Sequence, residues 1–79
     1  MRENRLIKLG RELAENGISS EYDYVIPELK VFVKRDTYCW IFYEDKKYLL
    51  YYPTRLNCVS ITQSADELIN KIKELRGQK

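Results

Sequence analysis

Histidine is absent from the 79 residues, the two cysteines lack a Cys-x-x-Cys spacing, and there are only three glycines and two prolines. Without histidine, the two thiols would need carboxylates to complete a four-ligand zinc site, which structural zinc sites seldom use, so no metal and no cofactor is expected. The same absence removes the usual general base. Cys39 as a nucleophile would depend on lysine, and Ser60 has neither a base nor a Gly-x-Ser-x-Gly setting. Long apolar runs are missing as well. The longest candidate, Tyr48-Leu49-Leu50-Tyr51-Tyr52, falls far short of the roughly 18 to 20 residues of a membrane span, so no membrane contact is expected. The start Met1-Arg2-Glu3-Asn4-Arg5 is polar and charged rather than a signal segment, which points to a reducing, cytoplasmic setting with both thiols free.

Fourteen Lys+Arg against twelve Asp+Glu leave 14 − 12 = +2, while 44% of the chain is hydrophobic and 13% aromatic. That balance excludes a histone-like basic chain, an acidic mimic of DNA and a disordered tail. The length allows a single domain, 1–79. A core of this size leaves a margin of about 3 to 5 kcal/mol, with little to spare for a strained catalytic pocket.

Leu6, Leu9 and Leu13 recur at helical spacing and predict an amphipathic helix over 3–16, stopped by Gly17. Residues 18–27 show no clean period and end in Pro27, which predicts a connecting loop with room for a short extended piece. Short runs of Val, Ile, Tyr, Phe and Trp then predict four strands at 29–34, 37–44, 47–52 and 58–61. Two-residue turns fall at Arg35-Asp36 and Asp45-Lys46, and a longer one spans 53–57. Ser64-Ala65-Asp66-Glu67 reads as a capping box that opens a second helix along Ala65, Leu68, Ile69, Ile72 and Leu75, with Lys73, Arg76 and Lys79 towards its end. The expected fold is α+β in two layers: an antiparallel four-stranded meander with the N- and C-terminal helices packed on one face, in the order α-β-β-β-β-α.

Centring the tight turns pairs Val31 with Trp40, Leu29 with Phe42, Phe42 with Leu49, and Trp40 with Tyr51. This register assigns Leu29, Val31, Val33, Tyr38, Trp40, Phe42, Leu49, Tyr51, Val59 and Ile61 to the helix-facing core. The opposite face then carries Lys30, Phe32, Lys34, Cys39, Ile41, Tyr43, Tyr48, Leu50, Tyr52, Cys58 and Ser60, too apolar and aromatic for an indifferent solvent surface. Three explanations fit such a face: cover by the first helix in a three-layer sandwich, a sheet-to-sheet homodimer, or an open contact surface.

Catalytic constellations are sparse. Glu28-Leu29-Lys30 and Glu44-Asp45-Lys46 match the Glu-x-Lys part of a metal-dependent nuclease, but such tripeptides arise by chance in a charged chain and no second acid accompanies them on a neighbouring strand. The element order is similar to that of the double-stranded RNA-binding domain in topology alone. That family has three strands and a lysine cluster entering its second helix, where this chain has the acidic stretch Thr62-Gln63-Ser64-Ala65-Asp66-Glu67, so the chain is not assigned to it. The sequence therefore predicts a small non-enzymatic protein-binding module, by analogy with the short proteins through which mobile elements such as phages inhibit or modulate larger host proteins. The expected partner-binding residues are Lys30, Phe32, Lys34, Ile41, Tyr43, Tyr48, Leu50 and Tyr52. The alternatives are single-stranded nucleic-acid binding by the same Tyr/Lys face and a structural homodimer. The span 29–56 holds six basic and three acidic residues, an excess of 6 − 3 = +3.

Overall fold

The computed structural model describes residues 4–77. Glu3, the expected start of the first helix, and Lys79, expected near the end of the second, lie outside the described residues, as do Met1 and Arg2. Helix α1 spans Arg5–Glu15, where the Oδ1 of Asn4 accepts from the Leu6 N–H at 2.8 Å and Leu6, Leu9 and Leu13 make the buried stripe. Gly17 ends the helix at φ 73, a conformation that costs a side chain but not a glycine. Ile18 N–H then donates to Leu13 O at 2.9 Å and Gly17 N–H to Ala14 O at 3.0 Å, the paired bonds of a left-handed helix stop.

Five strands follow rather than four: β1 Ser20–Asp23, β2 Glu28–Lys34, β3 Thr37–Glu44, β4 Lys47–Tyr51 and β5 Cys58–Thr62. They form one antiparallel meander in that spatial order, and α2, Ala65–Leu75, completes the chain. The added strand is the extended piece inside the expected loop. Its sequence Ser-Glu-Tyr-Asp has no apolar alternation, so local propensity does not mark it. Tertiary contacts make it a strand. Tyr22 pairs with Leu29 and packs on the core, and the Asp23 carboxylate accepts from the N–H groups of Val25 and Ile26 at 2.8 and 3.2 Å, closing the turn into β2. Gly10 lets α1 come close to β1, since a Cβ there would lie 3.1 Å from the Ser20 hydroxyl oxygen.

One core holds both helices and the sheet. Leu6, Leu9 and Leu13 from α1 and Leu68, Ile69 and Ile72 from α2 pack with Leu29, Val31, Val33, Cys39, Ile41, Tyr48 and Leu50, so both helices lie on the same side. At the start of α2 the Ser64 hydroxyl accepts from the Glu67 N–H at 3.3 Å, as the capping box requires. Glu67 does not reach back in return. Its carboxylate accepts from the Thr62 hydroxyl at 2.7 Å, and Thr62 accepts the Ser64 N–H at 3.1 Å. At the other end Arg76 donates to the Phe32 carbonyl at 3.0 Å and ties α2 to β2.

The sheet corrects the expected sidedness. The pairing of β3 with β4 is as expected, Phe42 opposite Leu49 and Trp40 opposite Tyr51. Between β2 and β3, however, Leu29 pairs with Ile41 and Val31 with Cys39, because an irregularity between Phe32 and Lys34 takes up one residue above the Arg35-Asp36 turn. A slip of one residue exchanges faces. Leu29, Val31 and Val33 are buried as expected, but the residues beside them are Cys39, Ile41, Tyr48 and Leu50, while Tyr38, Trp40, Phe42, Leu49, Tyr51 and Ile61 lie on the side without helices, and Val59, also expected in the core, is exposed at a register shift in β5. Leu50→Ala should accordingly cost about 2 to 5 kcal/mol in urea unfolding, as for a fully buried leucine. Ile61→Ala should stay within about 0.5 kcal/mol of the native chain, and equal effects at the two positions would overturn this sidedness.

Candidate functional site

Of the residues expected to bind a partner, only Lys30 and Phe32 lie on the open side of the sheet, with Lys34 exposed at the end of β2. Ile41 and Leu50 are fully buried, Tyr48 nearly so, and Tyr43 and Tyr52 pack against the core beneath the helices. Their assignment to an exposed surface is therefore corrected. The cause is the irregularity after Phe32, which leaves the faces of β2 as expected and exchanges those of β3 and β4.

What the sheet presents instead is a row of aromatic rings down β3 and its neighbours. Tyr38, Trp40 and Phe42 alternate along β3; Phe32 meets Tyr38 edge to face at 5.9 Å, and Tyr51 meets Phe42 likewise at 5.4 Å. Edge-to-face contacts place the positive rim of one ring on the negative face of the other, and they hold both rings in fixed orientation. Two cations lie on this row. Lys30 Nζ stands 4.2 Å from the centre of the Tyr38 ring, and the Arg55 guanidinium 5.3 Å from that of Trp40.

Arg55 comes from the loop after β4, which folds back over the sheet. Its Nη2 meets Glu28 Oε1 at 2.6 Å, with the Glu28 side chain 2% exposed and that of Arg55 53%. Glu28 is the one buried charged residue of the described chain. Burying a carboxylate is costly unless a cation meets it, so Arg55 is held over Trp40 by the acid beneath. The loop itself is braced by Asn57, whose side chain donates to the Tyr52 carbonyl at 2.7 Å and whose own carbonyl accepts from the Tyr52 N–H at 2.9 Å.

Two clefts open along the aromatic row. One of about 350 Å³ is lined by Ser19, Ser20, Glu21, Lys30, Phe32 and Tyr38, and another of about 570 Å³ by Pro27, Phe42, Tyr43, Glu44, Leu49, Tyr51 and Arg55. The turn between β1 and β2, which supplies Pro27 to the second, exposes Tyr24, Val25 and Ile26. Among the described residues no group of three or more carboxylates and thiols is placed to hold a metal ion, and no helix is long and apolar enough to cross a membrane.

Sequence reasoning placed Trp40 in the core and missed Arg55 as a partner of Glu28. One signal did favour the observed side. Cysteine is among the residues most often fully buried, and the set Cys39, Ile41, Leu50 is smaller and more aliphatic than Tyr38, Trp40, Phe42. No protein-family model, no curated protein and no solved structure matches this chain.

Removal of Arg55 leaves a buried acceptor without its cation, so Arg55→Ala should destabilise by about 1 to 3 kcal/mol in urea unfolding. Adding Glu28→Gln to that variant should recover part of the loss, and no recovery would mean that the Arg55 stem on Trp40, not the ion pair, holds the loop. The thiols differ as well. Both are free, and burial pushes the Cys39 thiol up to about 12 while Cys58 is exposed. Since only the thiolate attacks, a disulfide reagent at mildly alkaline pH should modify one thiol in the folded chain and two after unfolding; rapid modification of both would show that the strand opens at Cys39.

Proposed function

We propose that this chain is a non-enzymatic binding module that docks onto a larger protein through the open face of its sheet. The observation that carries the reading is the half-buried row of Phe32, Tyr38, Trp40, Phe42 and Tyr51, with Arg55 over Trp40, on a sheet whose two helices both pack on the other side. Trp, Tyr and Arg are the residues that dominate binding energy at protein contacts, because each offers a large rigid surface with one polar group. Inhibition or modulation of the partner is the role that this reading gives the module, in a reducing, cytoplasmic setting that suits two free thiols. Single-stranded nucleic acid fits the geometry less well. Base stacking needs free ring faces, and here Lys30 lies over Tyr38 and Arg55 over Trp40.

The test is a paired capture and titration with the native chain and a Tyr38→Ala, Phe42→Ala variant, which spares Trp40 and the ion pair of Arg55 with Glu28. The variant should keep its melting transition and bind the captured protein at least about tenfold more weakly, as expected for lost anchors. Unchanged affinity would remove the open face as the working surface. Affinity that collapses between low and physiological salt would move the assignment to nucleic acid.

A further inference from the structure

Arg55 meets the groups beneath it incompletely. Its Nη2 stands 2.6 Å from Glu28 Oε1, but Glu28 Oε2 is buried without a hydrogen-bond partner, and so is Nε1 of Trp40, whose ring the guanidinium covers. Buried polar atoms are nearly always paired, so two orphans under one side chain call for a physical account. A carboxylate can take a guanidinium on both oxygens at once, through two parallel N–H···O bonds. Arg55 makes one such bond and leaves 53% of its own side chain in solvent, while Glu28 is almost wholly enclosed.

The loop that carries Arg55 is tied mainly to itself. Its base is closed by the two bonds between Tyr52 and Asn57, and inside it the N–H groups of Leu56 and Asn57 donate to Thr54 Oγ1 and Thr54 O, both at 3.3 Å. Among the described residues, Arg55 alone carries a hydrogen bond from the tip of this loop to the sheet, and Leu56 beside it is 95% exposed. The tip can therefore lift without breaking any other bond to the strands.

We propose that Glu28 and Trp40 form a binding site for an arginine side chain of the docked protein, and that Arg55 occupies this site in the free chain. The incoming guanidinium takes both oxygens of Glu28 in place of the single bond to Arg55 and lies over the Trp40 ring, while Arg55 leaves with the tip of its loop. Glu28 has a cation before and after the exchange, which avoids the cost of a lone buried carboxylate. Lysine fits less well, since its ammonium offers neither a flat fork to two oxygens nor a plane to lay on the indole. An anionic group fits worse still: Glu28 already balances Arg55, and Glu44 lines the neighbouring cleft. The inference rests on the open face as a docking surface for the source of the arginine, but the site itself is tested without a partner.

The probe is N-acetyl-arginine amide, with N-acetyl-lysine amide at equal ionic strength as its control. Trp40 is the single tryptophan of the chain, so its emission reads the site directly. In Arg55→Ala the arginine probe should change that emission saturably, with a Kd in the millimolar range of a one-group contact. Near tenfold that Kd it should raise the melting temperature by about 4 °C or more. The lysine probe should need at least about tenfold more, and the native chain, whose own arginine competes from a short tether, should not saturate. If Arg55→Ala does not fold, Arg55→Lys keeps a cation on Glu28 and is titrated instead, with the same emission change expected. A response of the folded variant that stays linear up to about 100 mM arginine probe overturns the inference, as does an equal response after Glu28→Gln is added. Towards the captured protein, Arg55→Ala should bind as tightly as the native chain or more so; a loss of about tenfold would make Arg55 an anchor of the contact and overturn the exchange. Failure of the docking reading is a separate result, an affinity unchanged by Tyr38→Ala, Phe42→Ala, and it would overturn the source of the arginine but not the site.

Discussion

Two helices of eleven residues must cover a sheet of five strands. Strands lie about 4.8 Å apart and a helix with its side chains is about 10 to 12 Å across, so two helices side by side just span one face of such a sheet. Nothing in the described chain is left to span the other. The packing divides the work accordingly: α1 lies over β1 to β3 and α2 over β4 and β5, with aliphatic side chains between them. Tyr48 lies in that layer with Tyr22, Tyr43 and Tyr52 at its margin, while Phe32, Tyr38, Trp40, Phe42 and Tyr51 fall to the other side, where ring meets ring in two edge-to-face pairs and Lys30 and Arg55 stand over Tyr38 and Trp40.

The uncovered side is not left fluid. Glu28 is buried on it, and the need to meet that charge draws Arg55 across Trp40 and brings the loop after β4 onto the sheet. A contact surface in which rings hold rings edge to face and an ion pair pins the loop above them loses little freedom on binding. Pre-organisation of this kind raises affinity without added area, since side-chain ordering is a large part of what association costs. It also makes the electrostatics local: the guanidinium is directed to its own carboxylate, while Lys30 sits on a neutral ring.

Much of the architecture is legible in the residues. The leucine stripe of α1, Gly17 at its end, the cap at Ser64, the two tight turns and the pairing of β3 with β4 all follow from local chemistry, and the structure agrees with each. Three things were not legible, each for a physical reason. β1 is held by its neighbours rather than by its own propensity. The buried pair of Glu28 and Arg55 joins residues far apart along the chain, where no local pattern links them. The sidedness of the sheet turned on one residue beside Val33, in strands where both alternation sets are apolar: Ile41 with Leu50, and Trp40 with Leu49. A period of two identifies a strand, but it cannot select a face when both faces are hydrophobic.

That near-equivalence bears on how the chain finds its native state. The hairpin without the irregularity closes the same Arg35-Asp36 turn, at the same loop-closure entropy, and sets Val31 against Trp40 instead of Cys39. Local pairing separates the two registers little, since each sets apolar side chains on both sides of the hairpin. Only docking of α1 and α2 separates them, because the helices fit over Cys39 and Ile41 and not over Trp40 and Phe42. A hairpin closed without the irregularity would have to unzip and slip by one residue before this core could close.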